Sequence, residues 1–342
     1  MPRRWAAEIA EKDAVKETFL VLQKTMPVSR TGRPYLSLLL GDRTGHVDAR
    51  LWENAESASG AFLEMDFVRV EGTAVRFQDR IQLHVASLVR VDEATVEAAD
   101  FLPQTGQPPD QLWRKAMTLL EAVTNPHLCR LLRAIIDEPS FAQAFQRMPA
   151  GKSIHHARLG GLLEHTLCMC RLLRSVADLY EGLYPGLVDR DLLLTAGFLH
   201  DVGKVLELTA DRRFDYTDAG RLVGHVVLGY EYVARHLDRL ADFPADLALH
   251  LKHLLLSHHG ELEHGAPKRP KTAEAWILHF VDVLDCRVAQ TAELVGPLAA
   301  GGWTPYLKQY DRYFWRGHAR PPAPGQAEGP VGTDGSDASD EA

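Results

Sequence analysis

The stretch FLHDVGKVLEL, Phe198–Leu208, decides which fold this chain can adopt, and the other segments are best understood around it. An apolar helical run leads into His200 and Asp201, and Gly203 and Lys204 follow at once. Neutral imidazole and carboxylate are ligand types for a divalent cation, and at the end of a helix both can reach one ion. A His-Asp pair also occurs by chance in many proteins. The stretch therefore predicts a metal site only if further His and Asp residues converge on it.

Other apolar helical segments supply such residues. His165 lies in GGLLEHTLCMC, His225 in GRLVGHVVLGYEYV, His258 and His259 end LALHLKHLLLSHHG, and Asp282 lies in WILHFVDVLDC. Any one of these histidines alone is more typical of an ordinary core residue. A carboxylate among Phe and Val neighbours, however, is costly to bury unless it is paired or binds a cation. Together the segments predict five helices that each direct a ligand-type residue inward, towards a divalent metal.

The N-terminal part of the chain has a β pattern instead. The predicted strands are Glu17–Lys24, Tyr35–Leu40, Gly45–Trp52, Phe67–Val75 and Arg80–Val89. The turn from Gly41 to Gly45 predicts a hairpin, and the polar, alanine-rich segment from Glu53 to Met65 predicts a helix after the third strand. Five short strands in this length are typical of an OB-fold barrel, which we place at residues 12–92.

The segment YLSLLLGDRTGHVDARLW resembles nucleic-acid-binding OB domains of the tRNA-anticodon-binding type. Tyr35, Trp52 and Phe77 offer faces on which bases can stack, and Arg50 and Arg76 offer contacts to phosphates. Alternatively, the aromatic residues belong to the core and the arginines to ordinary solvated surface. We predict that the barrel binds single-stranded RNA or single-stranded DNA.

Composition sets the remaining boundaries. Residues 93–110 are rich in acid, alanine and proline and are predicted to be a linker. Residues 111–318 are predicted to be all-helical, and the acidic, glycine-rich residues 319–342 are predicted to be a disordered tail.

The net charge of −8 argues against a generally basic nucleic-acid-binding surface but permits a local basic groove. Four cysteines in apolar helical patterns, with no predicted signal peptide or membrane span, favour a soluble cytoplasmic protein. Exposed apolar helices would permit a homo-oligomer.

The order His, His-Asp, His, His-His, Asp between Ile154 and Ala289 resembles the HD superfamily of metal-dependent phosphohydrolases. The resemblance implies that His165, His200, Asp201 and Asp282 bind one cation. It also implies that His225, His258 and His259 bind a second cation, with Asp201 as the bridge between the two. We expect Mn²⁺, although Fe, Co, Ni and Zn are accepted by the same ligand types.

With the OB barrel in front of them, these motifs look like the YhaM-type 3′-5′ exoribonucleases. HD proteins that cleave cyclic dinucleotides carry a Gly-Tyr-Pro signature after their paired histidines. This chain has only Gly229, Tyr230 and Glu231, which precede His258. The departure counts against cleavage of cyclic dinucleotides.

The resemblance implies hydrolysis of single-stranded RNA from its 3′ end, which releases nucleoside 5′-monophosphates. Asp201 and Lys204 are the expected catalytic residues, the lysine as a fixed charge near the phosphoryl oxygens. The expected substrate contacts are His155, His156, Arg158, Lys268 and Arg269. Two alternatives stay open: an HD phosphohydrolase of a small nucleotide with a regulatory OB domain, and a non-enzymatic single-strand-binding module.

Overall fold

The computed structural model describes residues 3–152 and 156–319 of the chain. The described residues up to Ala289 form one compact unit, and those from Gln290 onward belong to a second. His155, which the sequence analysis assigned to substrate binding, lies outside the described residues, as do residues 320–342 of the predicted tail. The first unit contains both the β-rich and the ligand-bearing helical segments.

The β-rich part of the first unit is a closed five-stranded barrel, as the sequence predicted. Its strands are β1 (Ala14–Thr25), β2 (Leu36–Asp42), β3 (Gly45–Leu51), β4 (Phe67–Phe77) and β5 (Arg80–Arg90). Strands β1, β2 and β3 pair antiparallel in chain order, and β4 pairs antiparallel with both β1 and β5. A parallel pairing of β3 with β5 closes the barrel.

Alternation along the strands produces the barrel core. Leu36, Leu38 and Leu40 of β2 are buried together with Val47 and Ala49 of β3, because side chains two residues apart share one face of a strand. The predicted hairpin joins these two strands.

The helix after β3 is shorter than predicted. It covers Ala55–Ser59 (α1), with Gly60 at its C-cap. The chain then turns towards β4, where Asp66 Oδ2 accepts a hydrogen bond of 2.8 Å from the Leu63 amide. The alanine-rich composition therefore predicted the helix but not its early end.

The segment 93–110 is packed along much of its length. It contains two short 3₁₀ helices, Glu93–Thr95 and Ala98–Asp100. Phe101 lies against Phe67 of the barrel with ring centroids 4.8 Å apart, and Leu102 packs with Leu159 of the helical part. Burial of these two side chains connects the barrel with the helices inside the first unit.

The remainder of the first unit is mainly helical, but the all-helical prediction for residues 111–318 missed one small β-hairpin. Its helices are α2 (Pro109–Leu120), α3 (Pro126–Ile136), α4 (Pro139–Arg147), α5 (Gly161–Leu183), α6 (Arg190–Leu199), α7 (Lys204–Glu207), α8 (Asp218–Leu222), α9 (His225–Arg239), α10 (Ala245–Ser257) and α11 (Ala273–Val295), of which α11 continues into the second unit. A small hairpin, β6 (Leu208–Ala210) with β7 (Phe214–Tyr216), lies between α7 and α8. Helix α6 is buried from Leu192 to Leu199, so its C-terminal end reaches the interior.

The helical prediction is wrong for residues 296–318, because Gly296 and Pro297 end α11 at Val295 and no helix follows among the described residues. In the second unit, isolated bridges connect Trp303 with Trp315 and Leu307 with Arg312. The two tryptophan rings stack with centroids 6.1 Å apart. Among the described residues of both units, no helix has the length and apolar character needed to cross a membrane.

Candidate metal centre

Five helical segments bring the predicted metal ligands to one place. His165 lies in the second turn of α5, His200 and Asp201 follow the end of α6, His225 begins α9, His258 and His259 follow α10, and Asp282 lies in α11. The ligand atoms form two groups around Asp201. We call the group that faces Asp201 Oδ2 the first half of the centre, and the group that faces Oδ1 the second half.

The first half consists of His165, His200 and Asp282 around Asp201 Oδ2. His165 Nε2 lies 3.2 Å from His200 Nε2 and 3.4 Å from Asp282 Oδ1. Asp201 Oδ2 lies 3.6 Å from His165 Nε2 and 3.5 Å from His200 Nε2. Two imidazole nitrogens and two carboxylate oxygens within this range are a donor set that suits a divalent cation.

The second half consists of His225, His258 and His259 around Asp201 Oδ1. His225 Nε2 lies 3.2 Å from His259 Nε2. Asp201 Oδ1 lies 3.4 Å from His225 Nε2 and 3.9 Å from His258 Nε2. The two oxygens of one carboxylate thus face different ligand groups, which is the arrangement that a bridging ligand requires.

The tautomers of these histidines test whether the centre fits cations. The Nδ1 atoms of His200, His258 and His259 each lie 2.8–3.0 Å from a backbone carbonyl oxygen, which can only accept, so Nδ1 carries the proton. The Nδ1 atoms of His165 and His225 lie 2.7 Å and 3.1 Å from carboxylate oxygens. All five Nε2 atoms are therefore left with a lone pair directed into the centre.

Lone pairs that face one another repel unless something positive lies between them. The two Nε2 to Nε2 distances of 3.2 Å are such contacts. His258 Nε2 is buried and has no hydrogen-bond partner among the described residues. Because an unsatisfied buried nitrogen is costly, the residues fit a centre that holds cations.

Two carboxylates that the sequence analysis missed hold the histidines in place. Asp285 Oδ2 accepts the 2.7 Å hydrogen bond from His165 Nδ1, and Glu207 Oε1 accepts from His225 at both Nδ1 and the backbone amide, at 3.1 and 3.0 Å. Such carboxylates fix the tautomer and orientation of a ligating imidazole. Asp285 stands three residues after Asp282, so helical spacing gave a signal for it. Glu207 gave none, since its contact depends on how α7 meets α9.

Lys204 and Asp201 form an ion pair in which the carboxylate is buried and the lysine is half-buried. Lys204 Nζ lies 2.6 Å from Asp201 Oδ2. Burial alone would raise the pKa of the Asp201 carboxyl, but Lys204 and the surrounding histidines outweigh it and hold that pKa well below its usual range. Asp201 is thus a carboxylate at neutral pH, as a metal ligand must be.

Gly203 explains why the turn after Asp201 can approach α9 so closely. A Cβ atom at this position would overlap the carbonyl oxygen of His225 and the amide of Gly229. A larger residue would therefore separate Asp201 from His225. Gly203 therefore allows Asp201 and His225 to come close enough to form the second half.

The predicted substrate contacts have different surroundings: His156 and Arg158 lie in a paired network, and Lys268 and Arg269 lie on the surface. His156 Nε2 lies 3.1 Å from Asp285 Oδ2, and Arg158 Nε donates to Glu164 over 2.8 Å, so both belong to an ionic network behind the first half. Arg269 is exposed and pairs with Glu261 at 2.7 Å. Lys268 is also exposed.

The predicted nucleic-acid contacts of the barrel fall into two groups. Tyr35 and Trp52 stack with ring centroids 4.3 Å apart, and Trp52 keeps 48% of its surface exposed. Phe77 is also exposed, and Arg76 pairs with Glu11 at 3.2 Å.

The register of the barrel separates these groups. Arg76 pairs with Ile81 and Leu51 pairs with Val85, four residues further along β5. The spacing between the two groups is therefore roughly 13 Å along this strand. Arg50 lies near the first group, where its guanidinium donates to the Ala49 carbonyl over 3.0 Å.

Comparison with known proteins identifies both parts of the first unit. Residues 20–91 match the OB-fold nucleic acid binding domain family and residues 162–286 match the HD domain family. A protein of Bacillus velezensis named 3′-5′ exoribonuclease YhaM is 32% identical over 298 residues, which cover 87% of this chain and 92% of that protein. The chain belongs to the YhaM family.

Two further relatives with the same name support this membership. The protein of Bacillus subtilis is 31% identical over 298 residues, with 87% of this chain and 92% of the relative covered. The protein of Shouchella clausii is 32% identical over 278 residues, with 81% and 84% covered. The predicted family and the predicted combination of an OB barrel with an HD domain are thus confirmed.

Proposed function

We propose that this member of the YhaM family is a metal-dependent 3′-5′ exoribonuclease, which hydrolyses single-stranded RNA and releases nucleoside 5′-monophosphates. The observation that carries the proposal is the centre itself, in which both oxygens of Asp201 face groups of imidazole lone pairs. The OB barrel in the same unit adds a surface suited to a single strand.

The first half would hold one divalent cation through His165, His200, Asp201 and Asp282, and the second half would hold another through Asp201, His225, His258 and His259. Bound cations of this kind lower the pKa of water and neutralise charge on phosphoryl oxygens. We expect Mn²⁺ because the donor set mixes imidazole with carboxylate, and Fe, Co, Ni and Zn are the alternatives to test.

The chain's own residues orient the phosphodiester. Lys204 Nζ is held beside Asp201 and would donate to a non-bridging phosphoryl oxygen, which offsets the charge that builds there during hydrolysis. Asp285 and Glu207 hold His165 and His225 in the required tautomer. Catalysis then depends on groups that are already positioned before the substrate arrives.

Other residues would hold the strand. Lys268 and Arg269 add positive charge on the exposed segment after His259, whereas His156 and Arg158 are held by Asp285 and Glu164 behind the first half and support the centre. On the barrel, Tyr35, Trp52 and Phe77 would stack with bases, while Arg50 and Arg76 would contact phosphates. We also propose that the protein acts in the cytoplasm, where cysteines stay reduced, in agreement with its four free cysteines. The homo-oligomer predicted from the sequence is a separate proposal.

A time course on 5′-labelled single-stranded RNA with Mn²⁺ tests the proposed function. We expect a ladder that shortens from the 3′ end and nucleoside 5′-monophosphates as the product. DNA of the same sequence measures the preference for RNA, and a panel of small nucleotides tests the alternative phosphohydrolase activity. Intact RNA together with a hydrolysed nucleotide would overturn the proposal.

A further inference from the structure

A basic surface lies on the hairpin of β6 and β7. Lys152 Nζ lies 2.7 Å from Asp215 Oδ1, Arg221 Nη2 lies 3.1 Å from the same oxygen, and Arg213 Nη2 lies 2.8 Å from Asp215 Oδ2. The three cationic side chains keep 42%, 58% and 60% of their surface exposed, whereas Asp215 keeps 14%. We call these four residues and Tyr216 the hairpin cluster.

The hairpin cluster carries excess positive charge. Every ion pair found for its three cations among the described residues ends on Asp215, so three positive charges face one negative charge and the net charge is +2. The hydrogen bond from Lys152 holds the pKa of Asp215 well below its usual range, which keeps this balance near neutral pH. An exposed positive patch on a chain of net charge −8 attracts an anionic ligand.

Tyr216 gives the hairpin cluster an aromatic face. The residue is exposed, and Lys152 Nζ lies 5.7 Å from the centre of its ring. Surfaces that bind single-stranded nucleic acid combine cations for the phosphates with an aromatic ring on which a base stacks. The chemistry of the cluster therefore fits a polynucleotide better than a simple inorganic anion.

The hairpin reaches from the barrel to the metal centre. At one end of the hairpin, Tyr216 pairs with Leu208. Glu207, the residue before Leu208, accepts the hydrogen bond from His225 of the second half. In the turn of the hairpin, Arg212 donates to Glu93 over 2.7 Å and to Asp66 beside β4 over 3.0 Å. We therefore expect single-stranded RNA that is bound to the barrel and enters the centre beside the second half to pass this hairpin.

We propose that the hairpin cluster is an RNA-binding subsite, in which Lys152, Arg213 and Arg221 bind backbone phosphates and Tyr216 stacks with one base. The subsite rests on the proposed exoribonuclease function and deepens it. It acts on nucleotides a short distance upstream of the bond that is cleaved. A dinucleotide is too short to reach it, because its single phosphodiester occupies the metal centre.

The test compares a dinucleotide with a tetranucleotide in the full chain with Mn²⁺. The triple variant Lys152→Gln, Arg213→Gln, Arg221→Gln should raise KM for the tetranucleotide several-fold and leave both kcat and the dinucleotide kinetics unchanged. The slope of log KM against log salt concentration should fall by about 0.7 for each phosphate that the variant no longer binds. Because the variant removes all three cationic partners of Asp215, which is only 14% exposed, circular dichroism and the dinucleotide kcat check that the variant remains folded.

Two further variants separate binding from structure. Asp215→Asn raises the net charge of the cluster and should lower KM for the tetranucleotide, an effect in the direction opposite to that of the triple variant. Arg239→Gln removes an exposed cation in the last turn of α9, about 21 Å along the helix from His225, and should change neither substrate.

The results distinguish this subsite from the exoribonuclease function. Unchanged tetranucleotide kinetics in the triple variant would overturn the subsite and leave the function intact. An equal loss on both substrates would also overturn the subsite, because it indicates damage to the metal centre. If the unchanged chain does not shorten RNA at all, the proposed function fails and the subsite fails with it.

Discussion

The two halves of the metal centre share Asp201 but are built differently. The first half is almost completely buried and contains a second carboxylate, Asp282, whereas in the second half only His258 is fully buried. Behind His165 stands an ionic network of Asp285 and His156, while His225 relies on Glu207. From this difference we expect the first half to retain its proposed cation more tightly and the second half to be the side open to substrate.

Replacing Asp201, which both halves share, should impair metal binding in both halves and so remove the difference between them. We expect Asp201→Asn to remove most bound metal from both halves and to lower kcat/KM for RNA on the order of a thousandfold or more, because the amide lacks the charge that both halves use. Metal content by mass spectrometry and RNA hydrolysis measure this. Asp178→Asn, which changes an exposed carboxylate on α5, is the matched control. Retention of one full equivalent of metal in Asp201→Asn would show that the halves do not depend on it equally.

Replacing Asp285 or Glu207, the supporting carboxylates, should weaken metal binding in one half at a time. Asp285→Asn weakens the hold on His165 and Glu207→Gln weakens the hold on His225, and losses of about 10- to 100-fold in metal affinity are expected for such contacts. In a metal titration, Asp285→Asn should weaken the tighter of the two binding steps. Glu207→Gln should weaken the other, lower-affinity step. Each variant is the control for the other. The same step weakened in both would mean that the halves are not independent sites.

The network behind the first half should also make stability depend on pH. Burial alone would lower the pKa of His156, but its hydrogen bonds to Asp285 and Glu164 outweigh burial and raise that pKa from 6.5 to about 9. A raised folded-state pKa gives stabilisation that is complete below the unfolded-state pKa and is lost as pH rises through the folded-state value.

We therefore expect the difference in free energy of unfolding between the wild type and His156→Gln to shrink by about 2 kcal/mol between about pH 6 and about pH 8. Urea unfolding at the two pH values measures it. His127→Gln, at a half-buried histidine on α3 that contacts Arg130 and no carboxylate among its described hydrogen bonds, is the control and should show no comparable trend. A difference that stays constant or grows with pH would contradict a protonated His156.

The sequence is more informative about the metal centre than about the barrel surface, and the reason is physical. A polar residue such as Asp282 in an apolar helix has few explanations other than pairing or metal binding, so its position alone was informative. Aromatic residues such as Tyr35 and Trp52 are equally typical of a core and of a binding surface, and only the fold shows that Trp52 is exposed. Contacts such as that of Glu207 with His225 depend on how two helices meet, which no local pattern encodes.

The smallest expected effect concerns RNA binding by the barrel, which should be separable from hydrolysis at the metal centre. Stacking of one base on an aromatic side chain contributes about 1–3 kcal/mol, so Trp52→Ala should raise KM for a long single-stranded RNA by roughly tenfold. A dinucleotide bound only at the metal centre should be hydrolysed as by the wild type, and metal content should not change. Trp52→Phe keeps an aromatic face beside Tyr35 and should recover most of the affinity. If Trp52→Ala instead impairs both substrates equally, the barrel supports the fold of the centre, and the division of labour between RNA binding and hydrolysis is wrong.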